Sequence, residues 1–92
     1  MKIVADLSLY PLRDGPIPTI IEFIKDLGEQ DGIEIVTNQL GTQLSGEFKA
    51  VTNAINHCMY KAMQAQSTVV LVVKYLNIDV EIERVPSLTP PV

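Results

Sequence analysis

A chain of 92 residues with 47% hydrophobic content holds one domain, near the lower end of sizes that bury a self-sufficient core, and leaves no room for two. Its net charge of -4, with seven Lys and Arg scattered singly, argues against a surface built to neutralise the phosphates of nucleic acid. The longest apolar run, Val69 to Val73, is far too short to cross a bilayer, and a single Cys58 excludes an internal disulfide.

From its start the chain alternates an apolar set (Ala5, Leu7, Leu9) with a polar and aromatic set (Asp6, Ser8, Tyr10), which predicts a strand over about Lys2 to Tyr10. Met1-Lys2 leads straight into this strand without the apolar core of a secretory leader, so a reducing, cytoplasmic setting is expected. Pro11, Gly15, Pro16 and Pro18 then break regular structure, and a helix is expected to begin around Pro16 to Thr19. Ile17, Ile20, Ile21, Ile24 and Leu27 recur at helical spacing as one apolar stripe, with Glu22, Lys25 and Asp26 facing water and Gly28 as the stop. After a short turn at Gln30-Asp31-Gly32, Ile33 to Thr37 alternates again as a second strand.

The segment Asn38 to Gly46 is too polar for a buried helix and reads as a bend plus a third strand. Leu40, Thr42 and Leu44 are expected on one face, with Gly41, Gln43 and Ser45 on the other. Gly41 marks either a bulge or a place where something approaches the backbone closely. A second helix follows from Gly46-Glu47, carrying Phe48, Val51, Ile55, Met59, Ala62 and Met63 on one side, with Ser45 as the expected N-cap. The β-branched run in STVVLVVKY is the clearest strand, and its apolar residues at nearly every position predict cover on both faces or a central place in the sheet.

The order is β-α-β-β-α-β, an α+β ferredoxin-like sandwich in which two helices cover one face of a four-stranded antiparallel sheet. The other face is left open, and on so small a domain it calls for a ligand, a second domain or another copy of the chain. Residues 1–77 make this domain and residues 78–92 a C-terminal extension. Within the extension Ile78, Val80 and Ile82 alternate with Asp79, Glu81 and Glu83, so an extra strand, in continuation or on a partner subunit, stands against a solvated tail. The Pro-rich PSLTPPV reads as an extended arm.

The run LSLYPL with its short turn and Ile-rich helix, TNQLGTQLSG opening into FKAVTNAI, and the final VVLVVKY resemble the YkoF-like thiamine/hydroxymethylpyrimidine-binding proteins over about Val4 to Tyr75. Ser8, Tyr10 and Pro11, and then Thr42, Leu44 and Gly46, carry the resemblance most directly. It implies non-enzymatic binding of thiamine or its hydroxymethylpyrimidine moiety, in salvage or transport, by a single-module member. It also implies assembly through the sheet as a homodimer or homotetramer. No cofactor, nucleic acid or membrane partner is implied.

The residues of the open face suit such a ligand. A thiazolium cation favours an aromatic face or a carboxylate, which Tyr10 and Asp6 supply from one side of one strand. An aminopyrimidine needs donors and acceptors, which Ser8, Asn38, Gln39 and Gln43 offer, with Thr42 added by the family pattern. Each residue also has a plainer role. Asp6 and Ser8 suit solvated strand positions, Tyr10 could pack on its loop, Thr42 shares a face with core leucines, and Asn38 and Gln39 suit a turn.

Catalysis finds little support. His57 and Cys58 are neighbours on a helix and diverge by about 100°, so they form neither a nucleophile–base pair nor a metal site. Cys58 is expected in the core and His57 partly exposed. The acidic residues show no glycosidase-type spacing, and no phosphate-cradling glycine motif occurs. The alternative to a binding protein is a ferredoxin-like regulatory or assembly module whose open sheet face is a homo-oligomer interface.

Overall fold

The structure is a computed structural model and describes residues 1–65, 68–85 and 88. Six elements follow in order: β1 (Lys2–Pro11), α1 (Ile17–Gly28), β2 (Ile33–Asn38), β3 (Gly41–Glu47), α2 (Phe48–Gln64) and β4 (Val69–Leu76). They build one sheet of order β2-β3-β1-β4 in which every neighbouring pair is antiparallel, the expected ferredoxin-like arrangement. No helix among the described residues is long and apolar enough to cross a membrane.

Period-two alternation assigns the two faces. Opposite one another on the helix side stand Ala5 and Leu44, and then Leu7 and Thr42. Here Ile3, Ala5, Leu7, Leu9 and Leu44 meet Phe23 and Leu27 of α1 and Val51, Ile55 and Cys58 of α2. Leu7, Leu27 and Leu44 are fully buried, and each such side chain stabilises the fold by about 1.5–3 kcal/mol. Asp6, Ser8 and Tyr10 point to the opposite, open face, together with Gln43, Ser45, Val70, Val72, Lys74 and Leu76 by register.

Several expectations are corrected. On α1 the buried set is Phe23, Asp26 and Leu27, whereas Ile17 and Ile21 are exposed. The stripe is rotated because one flank of α1 packs against α2. Asp26, expected in water, is only 8% exposed, and its Oδ1 accepts a 3.0 Å bond from Lys61 of α2. That pairing satisfies a carboxylate that could not otherwise be buried. On α2 the inward stripe is Val51, Ala54, Ile55 and Cys58, so Phe48 and Met63, near the two ends of the helix, are exposed.

Ser45 is not a cap: it stays in β3, and the extended residue before α2 is Glu47, with no side-chain cap bond. Leu40 is not in a strand at all. It sits in the turn between β2 and β3, 91% exposed. β4 is an edge strand and not a central one, and because both helices lie on the other face of the sheet its second apolar row, Val70 and Val72, stands exposed instead of being covered. Residues 77–85 form no strand within the chain, with Ile78, Val80 and Val85 exposed. Most of the Pro-rich arm lies outside the described residues.

Cys58 is buried, as expected, and burial above all, with the Asp26 carboxylate adding to it, pushes its thiol up to about 11. An unfolded cysteine ionises near pH 8.5. Between these values the unfolded chain loses a proton that the folded chain retains, so stability falls with rising pH. Lys61, whose ammonium is held above its ordinary range chiefly by its hydrogen bond to Asp26, acts in the same direction at higher pH. The urea midpoint is expected to drop between pH 8 and pH 10.5, with a smaller drop in Cys58→Ala. Identical pH slopes for the two proteins would contradict the assignment.

Candidate functional site

β1 is longer than its partner on one side. Its pairing with β3 runs from Lys2↔Glu47 to Leu7↔Thr42 and stops, while its pairing with β4 continues to Pro11↔Val69. At that margin the sheet, the β2–β3 turn and α1 enclose a cleft of about 200 Å³. Leu7, Leu9 and Thr42 line it from the sheet, Ile20, Phe23 and Ile24 from α1, and Asn38 to Gly41 from the turn.

The ladder fixes what the backbone of β1 offers there. Leu12 N–H donates to Thr68 C=O, toward β4, and Phe48 N–H donates to Met1 C=O, on the β3 side. In an antiparallel ladder both backbone groups of a residue turn to the same neighbour and alternate residue by residue. Odd-numbered residues of β1 therefore address β3, and Leu9 turns its N–H and C=O toward a strand that has already ended. Among the described residues neither group has a backbone partner outside the regular ladders. A donor and an acceptor on one edge, beside apolar walls, can read a flat ring that carries an acceptor next to a donor.

The turn is built by Asn38. Its Oδ1 accepts from Leu40 N–H at 2.9 Å and from Gly41 N–H at 3.1 Å, the side chain imitating a backbone turn. Gly41 then passes so close to β1 that an added Cβ would lie 2.7 Å from Leu7 O and 3.2 Å from Ser8 Oγ. The close-approach reading of Gly41 is the one the structure supports. Ser8 Oγ is 3.5 Å from Leu40 O, a long contact that leaves the hydroxyl available.

The seven expected site residues divide. Ser8, Tyr10, Asn38, Gln39 and Thr42 all line the cleft. Thr42 is 4% exposed and shares a 3.1 Å hydrogen bond between hydroxyls with Thr37, so it also serves the core. Tyr10 is 54% exposed and lies on the open face beside Val70. Asp6 and Gln43 are not brought into the cleft. They face each other on the open sheet, where Gln43 Nε2 donates to Asp6 Oδ1 at 2.8 Å, and Gln43 Oε1 accepts from Asn38 Nδ2 at 3.0 Å. Leu9, Ile20, Phe23 and Ile24 were not among the expected residues. Their signal was faint, because apolar residues in a strand and a helix read as core wherever they occur.

Solved structures share this architecture. A Streptococcus pneumoniae protein is 27% identical, with 87% of this chain and 90% of that one covered and a TM-score of 0.79. A hypothetical protein of Methanocaldococcus jannascii is 24% identical over 89% of each chain, with a TM-score of 0.74. A candidate thiamine biosynthesis/salvage protein of Thermotoga maritima is 17% identical, with 90% and 92% covered and a TM-score of 0.65. The last two likenesses are of fold alone. No family model and no curated protein matches the sequence.

Because the cleft depends on the approach of β3 to β1, Gly41→Ala is expected to cost about 1–3 kcal/mol through forced displacement of backbone. Gly28→Ala, at the end of α1 with open space around its Cα, is the control and is expected to be neutral or slightly stabilising. Equal urea midpoints for the two variants would show that β1 and β3 can separate freely at this point.

Proposed function

We propose that the chain is a single-module YkoF-like protein that binds thiamine or its hydroxymethylpyrimidine moiety in the cleft at the end of β1, without catalysing a reaction. The observation that carries this reading is the unpaired edge of Leu9 between apolar walls. An aminopyrimidine presents a ring-nitrogen acceptor next to an amino donor, the complement of a backbone N–H and C=O side by side. Ile20, Phe23 and Ile24 supply the apolar wall for the ring, and Ser8, Asn38, Gln39 and Thr42 supply further polar partners. Tyr10, at the margin, offers an aromatic face to the thiazolium cation. The name of the Thermotoga maritima neighbour, a candidate thiamine biosynthesis/salvage protein, agrees in direction. Salvage or transport in the cytoplasm is the setting this reading implies.

A second reading rests on the open sheet. Val70, Val72 and Leu76 of β4 and Tyr10 of β1 are large apolar side chains standing exposed on it. Their burial against another copy would make a homodimer or homotetramer, in which case the chain is an assembly module with or without a ligand.

Calorimetric titration of thiamine and of hydroxymethylpyrimidine, with light scattering on the same sample, separates the two readings. Saturable heat with either compound supports the binding protein. An oligomer that gives neither heat nor a thermal shift leaves only the assembly module. Tyr10→Ala is expected to weaken thiamine binding by about three- to tenfold, the worth of a partly exposed cation–π contact, measured at a protein concentration where light scattering gives wild type and variant the same oligomeric state. Equal affinities in wild type and variant remove Tyr10 from the site.

A further inference from the structure

The open face carries a chain of hydrogen bonds that ends at the cleft. Asp6 accepts from Gln43, Gln43 accepts from Asn38, and Asn38 accepts from the amides of Leu40 and Gly41, the turn that walls the cleft. The links are 2.8, 3.0, 2.9 and 3.1 Å, all within ordinary hydrogen-bonding distance. The three side chains come from three different strands: β1, β3 and β2.

We propose that Asp6 is a positioning residue for the ligand cleft, setting the polarity of this chain and through it the conformation of the Asn38–Gly41 turn. An amide side chain can face either way, and an isolated Gln or Asn has no reason to choose. An ionised carboxylate can only accept. Asp6 therefore requires Gln43 to present Nε2, which turns Oε1 toward Asn38. Asn38 must then answer with Nδ2, which leaves its Oδ1 for the two turn amides. Remove the carboxylate and Gln43 is free to rotate. Its Nε2 then meets Asn38 Nδ2, and the amide that rotates in response brings donors against the Leu40 and Gly41 N–H groups.

Lys74, the β4 partner of Asp6 in register, makes no ion pair with it among the described residues, so the carboxylate is committed to Gln43. Asp6 and Gln43, which do not line the cleft, thereby act on it through Asn38, which does. The role rests on the cleft being the ligand site, and its test is arranged to stand apart from that reading.

Asp6→Ala, Asp6→Asn, Gln43→Ala and the double variant Asp6→Ala/Gln43→Ala are compared with wild type by amide hydrogen exchange and by thiamine calorimetry. Asp6→Ala is expected to speed exchange of the Leu40 and Gly41 amides by about tenfold or more while exchange in α2 stays as in wild type, and to weaken thiamine binding by about tenfold. Asp6→Asn is expected to restore either only in part, because its amide can turn its oxygen or its NH2 toward Gln43 and no longer dictates the polarity of the chain. Gln43→Ala breaks the same chain at its next link, so the double variant is expected to match the single ones. Unchanged exchange at Leu40 and Gly41 in Asp6→Ala, or full recovery of wild-type exchange in Asp6→Asn, overturns the proposal. If wild type itself gives no heat with thiamine or with hydroxymethylpyrimidine, the ligand reading fails while the exchange comparison still decides whether Asp6 sets the turn.

Discussion

Gly41 passes so close to Leu7 that a methyl group cannot fit between them, and the rest of the molecule is arranged around that approach. It lets β3 lie against β1 up to Leu7↔Thr42, which closes the helix side of the sheet over Leu7 and Leu44. It is also where the pairing stops. Beyond it β1 continues on β4 alone, and the other side of the strand borders the cleft. One steric condition thus separates a part of β1 paired on both sides from a part paired on one side only.

Much of this architecture could be read from the residues. Strict alternation in β1 and the change of period at Ile17 and Phe48 predict the element order, because side-chain direction follows backbone period wherever one face is buried. The errors share a cause. Helical spacing places Ile17, Ile21, Phe48 and Met63 on the apolar stripes, yet burial depends on which neighbour an element finds, and that is a property of the assembled molecule. Asp26 failed the opposite way: Lys61, which makes its burial tolerable, is thirty-five positions away, and no local pattern announces it. The apolar run of β4 predicts cover on both faces or a central place, but its order in the sheet is decided by the crossover through α2 rather than by its composition.

The candidate site was legible in fragments. The alternation of Asp6, Ser8 and Tyr10 placed them on one face, and Gly41 stood out as a residue kept small for a reason. What the sequence could not supply was the difference in length between two paired strands, which is a matter of register and fixes where the cleft lies. The unpaired edge at Leu9 was invisible for the same reason. A backbone donor and acceptor belong to every residue, so only the pairing map can reveal which ones remain unused.

The edge position of β4 has a consequence for the protein in solution. Among the described residues its outer rim, from Val69 to Leu76, pairs with no further strand, with Val70, Val72 and Leu76 exposed beside it and Lys74 as the one charge of the strand. Proteins ordinarily protect such a rim with several charges, a proline or a bulge, because an unguarded strand templates the addition of another. A single lysine is a weak guard, and salt, which screens its charge, weakens it further.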